Sequence, residues 1–343
     1  MSDAYAQSGV DIKKGNLVVE KIKSHVKSTH TNAVLTNIGS FGGLYDMSEI
    51  LKSYKHPVLV QSIDGVGTKL SVARIMNKYD SVGEDIVGHS CGDIVAMGAR
   101  PLTFLDYVAN ETLVPREMEE MVAGMAKACR EAGVAIIGGE TAEMPGIYMK
   151  GEHDIAGCIT GIIEKDKIIT GDNIKEGDVV LGLPSSGLHT NGFSLARKLI
   201  FEKAKYEVTT HVPELGTTIG EELLKVHTNY APSVLKMLDR GIEIRGIAHI
   251  TGGGFIENIP RVLPKNLDAE IIEDSWPILP VFSFIQKIGN VPETDMYKAF
   301  NMGIGMVLIA REGEEEKIKL LLPNQKIFRI GKIVNGSRKV ILK

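Results

Sequence analysis

The stretch "VLVQSIDGVGTKLSVA", residues 58–73, decides how the rest of the chain is read. Its apolar run reads as a strand that delivers Asp64 to its carboxyl end. Gly65 and Gly67 then let backbone N–H groups approach a ligand closely. Thr68 adds a hydroxyl donor, and Lys69 an ammonium suited to phosphate oxygens. The order is not that of a Walker loop, which needs Gly-x-x-x-x-Gly-Lys-Ser/Thr ahead of a helix. Asp64 would repel a bare phosphate, so its presence points to a Mg²⁺ between them. On spacing alone, a surface turn with a solvated lysine and a capping aspartate fits equally well.

Composition sets the outer bounds. The chain has 343 residues, 43% hydrophobic and 24% charged, enough for about two domains with substantial cores. A formal net charge of −4 supplies no basic excess to drive nucleic-acid or anionic-membrane binding. Cys91, Cys129 and Cys158 are widely spaced, with no Cys-x-x-Cys pair, so neither a disulfide framework nor a zinc site is expected. The opening residues lack a signal-peptide core and no run approaches 18 apolar residues, which leads us to expect a cytosolic, reduced protein.

Glycine is clustered at 38–43, 64–67, 137–146, 183–192 and 249–254, and all but the first cluster follow a β-like run. The pattern predicts strands near 58–64, 101–109, 134–138, 154–163, 178–183, 244–250, 267–272, 303–310 and 326–331. Helices are predicted near 16–29, 82–98, 115–132, 193–204, 217–227, 230–240, 254–262, 279–289 and 314–322. The charged connector at 164–177 is the best boundary. Two α/β domains with a ligand cleft between them are therefore expected.

Further acids stand at strand and helix positions. Asp93 lies in an apolar helix, with His89 four residues before it on the same face, and Asp106 lies on the following strand. A metal is one partner for Asp93, and a backbone or arginine bond is another. His89 by itself reads as a packed surface histidine. "GVAIIGGETAEMPGIY" ends a buried strand in two glycines, with Glu140 and Glu143 around Thr141. Asp64, Asp93 and Glu140 together are candidate ligands for one or two Mg²⁺ ions.

The second half carries its own turns. "LGLPSSGLHTNGFSLARKLI" is strand, turn and helix, with Ser185, Ser186, His189 and Asn191 in the turn and Thr190 or Asn191 as N-cap. "HITGGGFIENIPRVLP" places Thr251 and Gly252, Gly253 and Gly254 before a helix, an arrangement that suits a phosphate dianion. One site with carboxylates and one without suggest phosphoryl transfer from ATP to a phosphorylated small molecule.

"DGVGTKL", "GGETAEMPGIY", "SSGLHTNGFSLAR" and "HITGGGFIENIPRVLP", in this order, resemble the aminoimidazole ribonucleotide synthetases, the phosphoribosylformylglycinamidine cyclo-ligases of purine synthesis. The resemblance runs from "AQSGVDIKKGN" to "AFNMGIGM". It implies a mixed α/β (α+β) fold of two domains, 1–168 and 169–343, in a homodimer whose N-terminal sheets join into a barrel. It also implies Mg²⁺ on Asp64, Asp93 and Glu140, and ATP contacts from Lys23, Gly42, Gly43, Gly65, Gly67, Thr68 and Lys69. Substrate would meet Ser186, His189, Asn191, Thr251 and Gly252 to Gly254. Asp64, Lys69 and His189 would stand nearest the chemistry, His189 as acid/base or binding group. "IGSFGGLYD" resembles the family's mobile loop over ATP. Gly92 stands where many relatives carry Asn. A thiamine-phosphate kinase or selenophosphate synthetase of the same superfamily is the alternative enzyme, although no Cys precedes Cys91 as the latter would need. A non-catalytic nucleotide-binding scaffold is the alternative of another class.

Overall fold

Alternating burial along Pro57–Gly65 (β1) shows how the first sheet forms: every second residue faces helices and the others face outward. The computed structural model describes residues 11–343, so the expectations resting on the first ten residues lie outside it. Two compact units are present. The first runs to Ile94 and takes in Arg100–Asp166, and the second comprises Val95–Ala99 and Lys167–Lys343.

In the first unit, β1 joins Arg100–Asn110 (β2), Ala135–Glu143 (β3) and His153–Glu164 (β4) in the order β1-β4-β2-β3. Strand β4 is antiparallel to both β1 and β2, while β2 and β3 run parallel. Besides a one-turn helix at Ser48–Leu51, four longer helices accompany the sheet: Ile12–Lys27 (α1), Lys69–Met76 (α2), Asp80–Ala96 (α3) and Pro115–Ala132 (α4). Asp11 caps α1 by accepting from the N–H groups of Lys13 and Lys14. Helix α4 has the predicted bounds, with proline at its first turn and Gly133 left-handed at its end.

Helices α3 and α4 touch through backbone. A Cβ on Gly83 would lie 1.9 Å from the Met121 carbonyl oxygen, and one on Gly124 would lie 1.9 Å from that of Asp80. Only glycine on both helices permits this approach. On the sheet beneath, Gly157 leaves room for Phe104 and Ile86.

The second unit holds a six-stranded mixed sheet of Val179–Pro184 (β5), Ile244–His249 (β8), Leu267–Ile271 (β9), Ile304–Ala310 (β10), Phe328–Asn335 (β11) and Val340–Leu342 (β12). A two-residue hairpin, His211–Val212 (β6) with Thr217–Thr218 (β7), stands apart. Strand β10 is buried along its whole length, so it reads as an unbroken apolar run. The predicted helix at 193–204 is an α-turn, Phe193–Arg197 (α5), continued by a π-helical turn. Gly254–Asn258 (α6) likewise passes into a 3₁₀ turn. The pattern missed Ser48–Leu51, α2, the β6–β7 hairpin, Glu293–Ala299 and β12, each too short to show a clear period.

Candidate functional site

Strand β1 does deliver Asp64 to its end, and α3 places His89 against it. The His89 Nε2 to Asp64 Oδ2 distance is 2.7 Å, and Asp64 Oδ1 accepts from the Gly65 N–H at 2.7 Å. Ser62 Oγ donates to Asp93 Oδ2 at 2.9 Å. Burial works to raise the Asp64 carboxyl, but the His89 hydrogen bond and charge outweigh it and hold the group below its ordinary value. Burial also works to lower the His89 imidazole, yet Asp64, with Asp93 and Asp85, raises it. His89 is therefore a buried partner of the acids and not a packed surface histidine.

The three expected metal ligands are not gathered in one place. Among the described residues, Asp64, Asp93 and Glu140 do not bring three ligand atoms within 4.8 Å of one another. The sheet explains why. Glu140 pairs across β2 and β4 with Tyr107, Ala156 and Gly65, so it lies three strand spacings, about 14 Å, from the end of β1.

Lys69 differs more sharply from expectation. It opens α2, a helix absent from the sequence reading, and its side chain is fully buried. Its Nζ sits 2.7 Å from Asp85 Oδ2, itself fully buried. Burial lowers the ammonium's pKa, opposed by Asp85. The expected contact with a triphosphate is thus replaced by an internal ion pair, because the helix turns the side chain inward. Gly67, in a left-handed conformation, and Thr68 remain at the surface of a cleft of about 290 Å³ with Ser71, Arg74, Tyr148 and His153.

A second cleft of about 300 Å³ has a wall of Val18, Val19, Ile22 and Val26 from α1 and a rim that includes Asn37 to Ser40 and Gly138 to Thr141. Residues 38–40, the first half of the glycine-rich stretch 38–43, thus border a cavity. Gly43 packs on Ile137, where a Cβ would come within 2.4 Å of the carbonyl oxygen, while Gly42 is open. Lys23 points from the exposed face of α1 and does not line this cleft. Asp106 does line it, and burial, with the Glu140 charge, pushes its carboxyl up to about 7.

In the second unit the two glycine turns meet, since a Cβ on Gly252 would be 3.5 Å from Asn191 Oδ1. Ser186, Asn191 and Gly252 are reachable, whereas His189 is only 1% exposed. His189 Nε2 accepts from the backbone N–H groups of Ser186 and Thr228, both at 3.3 Å, and its ring stacks on His227 at 4.0 Å. With φ at 62°, His189 orders the turn from within. That buried geometry departs from both roles expected of it, acid/base and binding group. Neither Thr190 nor Asn191 caps α5, because Gly192 occupies the N-cap in a left-handed conformation.

The sequence reading did not reach Asn258. Its buried Nδ2 donates to the carbonyls of Thr251, Gly252 and Gly254 at 3.3, 3.1 and 2.9 Å. Gly253 and Gly254 both have positive φ, and among the described residues the Gly252 and Gly253 N–H groups meet no acceptor. The asparagine draws the loop's carbonyls inward.

Comparison with known proteins now decides the family. Models of the AIR synthase related protein N-terminal and C-terminal domains match residues 46–163 and 175–343. The chain belongs to the AIR synthase related family. It is 49% identical to phosphoribosylformylglycinamidine cyclo-ligase of Alkaliphilus oremlandii, covering 100% of both chains. It is 47% identical to the protein of that name from Brevibacillus brevis, over 99% of this chain and 98% of the other. Among solved structures, thiamine-monophosphate kinase from Stenotrophomonas maltophilia aligns with a TM-score of 0.69 over 95% of this chain and 96% of that one, at 16% identity. HypE in complex with ATP aligns with a TM-score of 0.62 over 96% and 89%, at 18% identity. These last two likenesses place the AIR synthase fold and nothing finer.

Proposed function

We infer that this chain is a phosphoribosylformylglycinamidine cyclo-ligase, which closes formylglycinamidine ribonucleotide to aminoimidazole ribonucleotide with ATP, releasing ADP and phosphate. The observation that carries the reading is identity of 49% to a protein of that name, end to end through both units. ATP phosphorylates the formamide oxygen, making a poor leaving group a good one. The amidine nitrogen then attacks the activated carbon, the imidazole closes, and phosphate departs with the former formamide oxygen.

The first unit supports the nucleotide half. The cleft beside Asn37 to Ser40 joins an apolar wall to a polar rim, the pairing a nucleoside needs. Gly65, Gly67 and Thr68 offer phosphate contacts, and closure of the 38–43 loop excludes water. Asp64 and Asp93 are adjacent hard-oxygen donors whose charges oppose each other, so their chemistry fits Mg²⁺. When bound, Mg²⁺ neutralises charge on the transferring phosphate. His89 holds Asp64 in place. In the second unit, Gly252 and Gly253 with Asn191 take the substrate phosphate, while His189 and Ser186, whose hydroxyl donates to the Val226 carbonyl and whose N–H donates to His189, keep the turn in shape.

The outer face of the first sheet supports a homodimer. Ile63, Cys158 and Leu105 share one rung of that face, flanked by Leu59 and Tyr107, and Ile63 is 72% exposed. Free thiols at Cys91, Cys129 and Cys158 fit a reducing cytoplasm. Among the described residues no helix is long and apolar enough to cross a membrane.

The test is direct. Protein, ATP, Mg²⁺ and formylglycinamidine ribonucleotide should yield ADP together with a diazotisable aromatic amine. No amine and no ADP under varied metal and pH would overturn the reading.

A further inference from the structure

The segment "FNMGIG", Phe300 to Gly305, backs the turn Ser185 to Gly192 at point after point. Asn301, 3% exposed, accepts through Oδ1 from Ser185 Oγ at 2.8 Å and from the Gly303 N–H at 2.9 Å. Its Nδ2 donates to the Gly187 carbonyl at 2.9 Å. The Ser185 N–H donates to the Gly303 carbonyl at 2.8 Å. Two glycines complete the fit: a Cβ on Gly192 would fall 2.3 Å from the Phe300 ring, and one on Gly305 would fall 2.5 Å from His189 Cε1. The segment is a mould for the turn.

We propose that Asn301 is a positioning residue for the cyclisation, holding Ser185 and Gly187 so that Asn191 at the end of the turn faces the substrate. The proposal rests on the reading that this turn contacts substrate. Chemistry favours asparagine here. The turn offers a hydroxyl donor and an N–H on one side of the side chain and a carbonyl acceptor on the other. Only an amide supplies both an acceptor and a donor in that space. All of these groups are buried, so a lost partner leaves an unsatisfied group and the turn shifts to regain water. Asn191, partly exposed at the end of the turn, moves with it.

The experiment compares Asn301→Ala, Ser185→Ala and Asn191→Ala in the full-length enzyme. KM for formylglycinamidine ribonucleotide and for ATP, kcat and thermal midpoint are measured for each. Asn301→Ala should raise the ribonucleotide KM about tenfold, the scale of one lost hydrogen bond to binding. KM for ATP should stay unchanged. Ser185→Ala removes only the hydroxyl bond to Asn301 Oδ1, so it should show a smaller rise; it carries the test if the Asn301 variant does not fold, and an unchanged ribonucleotide KM there would equally overturn the proposal. A folded Asn301 variant with both KM values unchanged, and only stability or active fraction reduced, would overturn the proposal. If Asn191→Ala itself leaves the ribonucleotide KM unchanged, the substrate reading of the turn falls, and the role of Asn301 with it.

Discussion

Lys69 Nζ and Asp85 Oδ2 lie 2.7 Å apart with both side chains fully buried, so the lysine of the "DGVGTK" motif ties α2 to α3. Removing one partner strands a charge in the interior. Lys69→Met should therefore cost about 3–5 kcal/mol, and replacing Asp85 with leucine in the same chain should recover most of it. Urea denaturation of both variants measures this. A single variant as stable as the parent would show that the pair is not the anchor.

The His89 and Asp64 pair predicts a pH window. His89 is raised above its unfolded value, so its contribution is complete below roughly pH 6.5 and is lost as pH climbs through the folded pKa. Asp64 is lowered, so its contribution is present above roughly pH 4 and is lost as pH falls through the folded value. The pair stabilises most between these limits. His89→Asn keeps a donor but removes the titrating ring, and its stability should decline less above pH 6.5 than the parent's. Parallel curves would rule out a stabilising role for the charge.

Gly124 faces backbone that cannot yield, so Gly124→Ala should destabilise the first unit by about 3 kcal/mol. Gly15, inside α1, is the contrast, since a Cβ there meets nothing within 4 Å. Gly15→Ala should gain about 0.5–1 kcal/mol from helix propensity. Thermal midpoints should move in opposite directions. A tolerated Gly124→Ala would mean the helices can separate at little cost.

The two left-handed glycines of the 252–254 loop should respond differently. At Gly254 a Cβ would lie 2.0 Å from the Tyr297 carbonyl oxygen, so alanine there should disrupt folding. At Gly253 the obstacle is the Glu257 side chain at 2.6 Å, which can rotate away, leaving backbone strain of about 1–3 kcal/mol. Gly253→Ala should fold and bind formylglycinamidine ribonucleotide more weakly, with ATP affinity retained. Unchanged ribonucleotide affinity in calorimetry would remove this loop from the substrate site.

Ile63→Asp places a charge on the exposed sheet face, on its edge strand β1. The parent should sediment as a dimer and the variant as a monomer with the same circular dichroism. A monomeric parent at micromolar concentration would refute the homodimer.

Much of this protein was already written in local pattern. The apolar run at 58–64 marked β1, the helical pattern at 115–132 gave α4 its observed bounds, and four ordered motifs carried the family. These are properties of neighbouring residues, which is why one chain suffices to read them. Tertiary structure alone decided the partners. The Lys69 ammonium turns inward because α2, too short to show a period, packs against α3 and brings Asp85 to it. Glu140 stands apart from Asp64 because sheet order puts two strands between β1 and β3. Asn301 meets Ser185 across 116 residues of sequence. Local spacing carries no record of such distances, since they are set by which elements pack together.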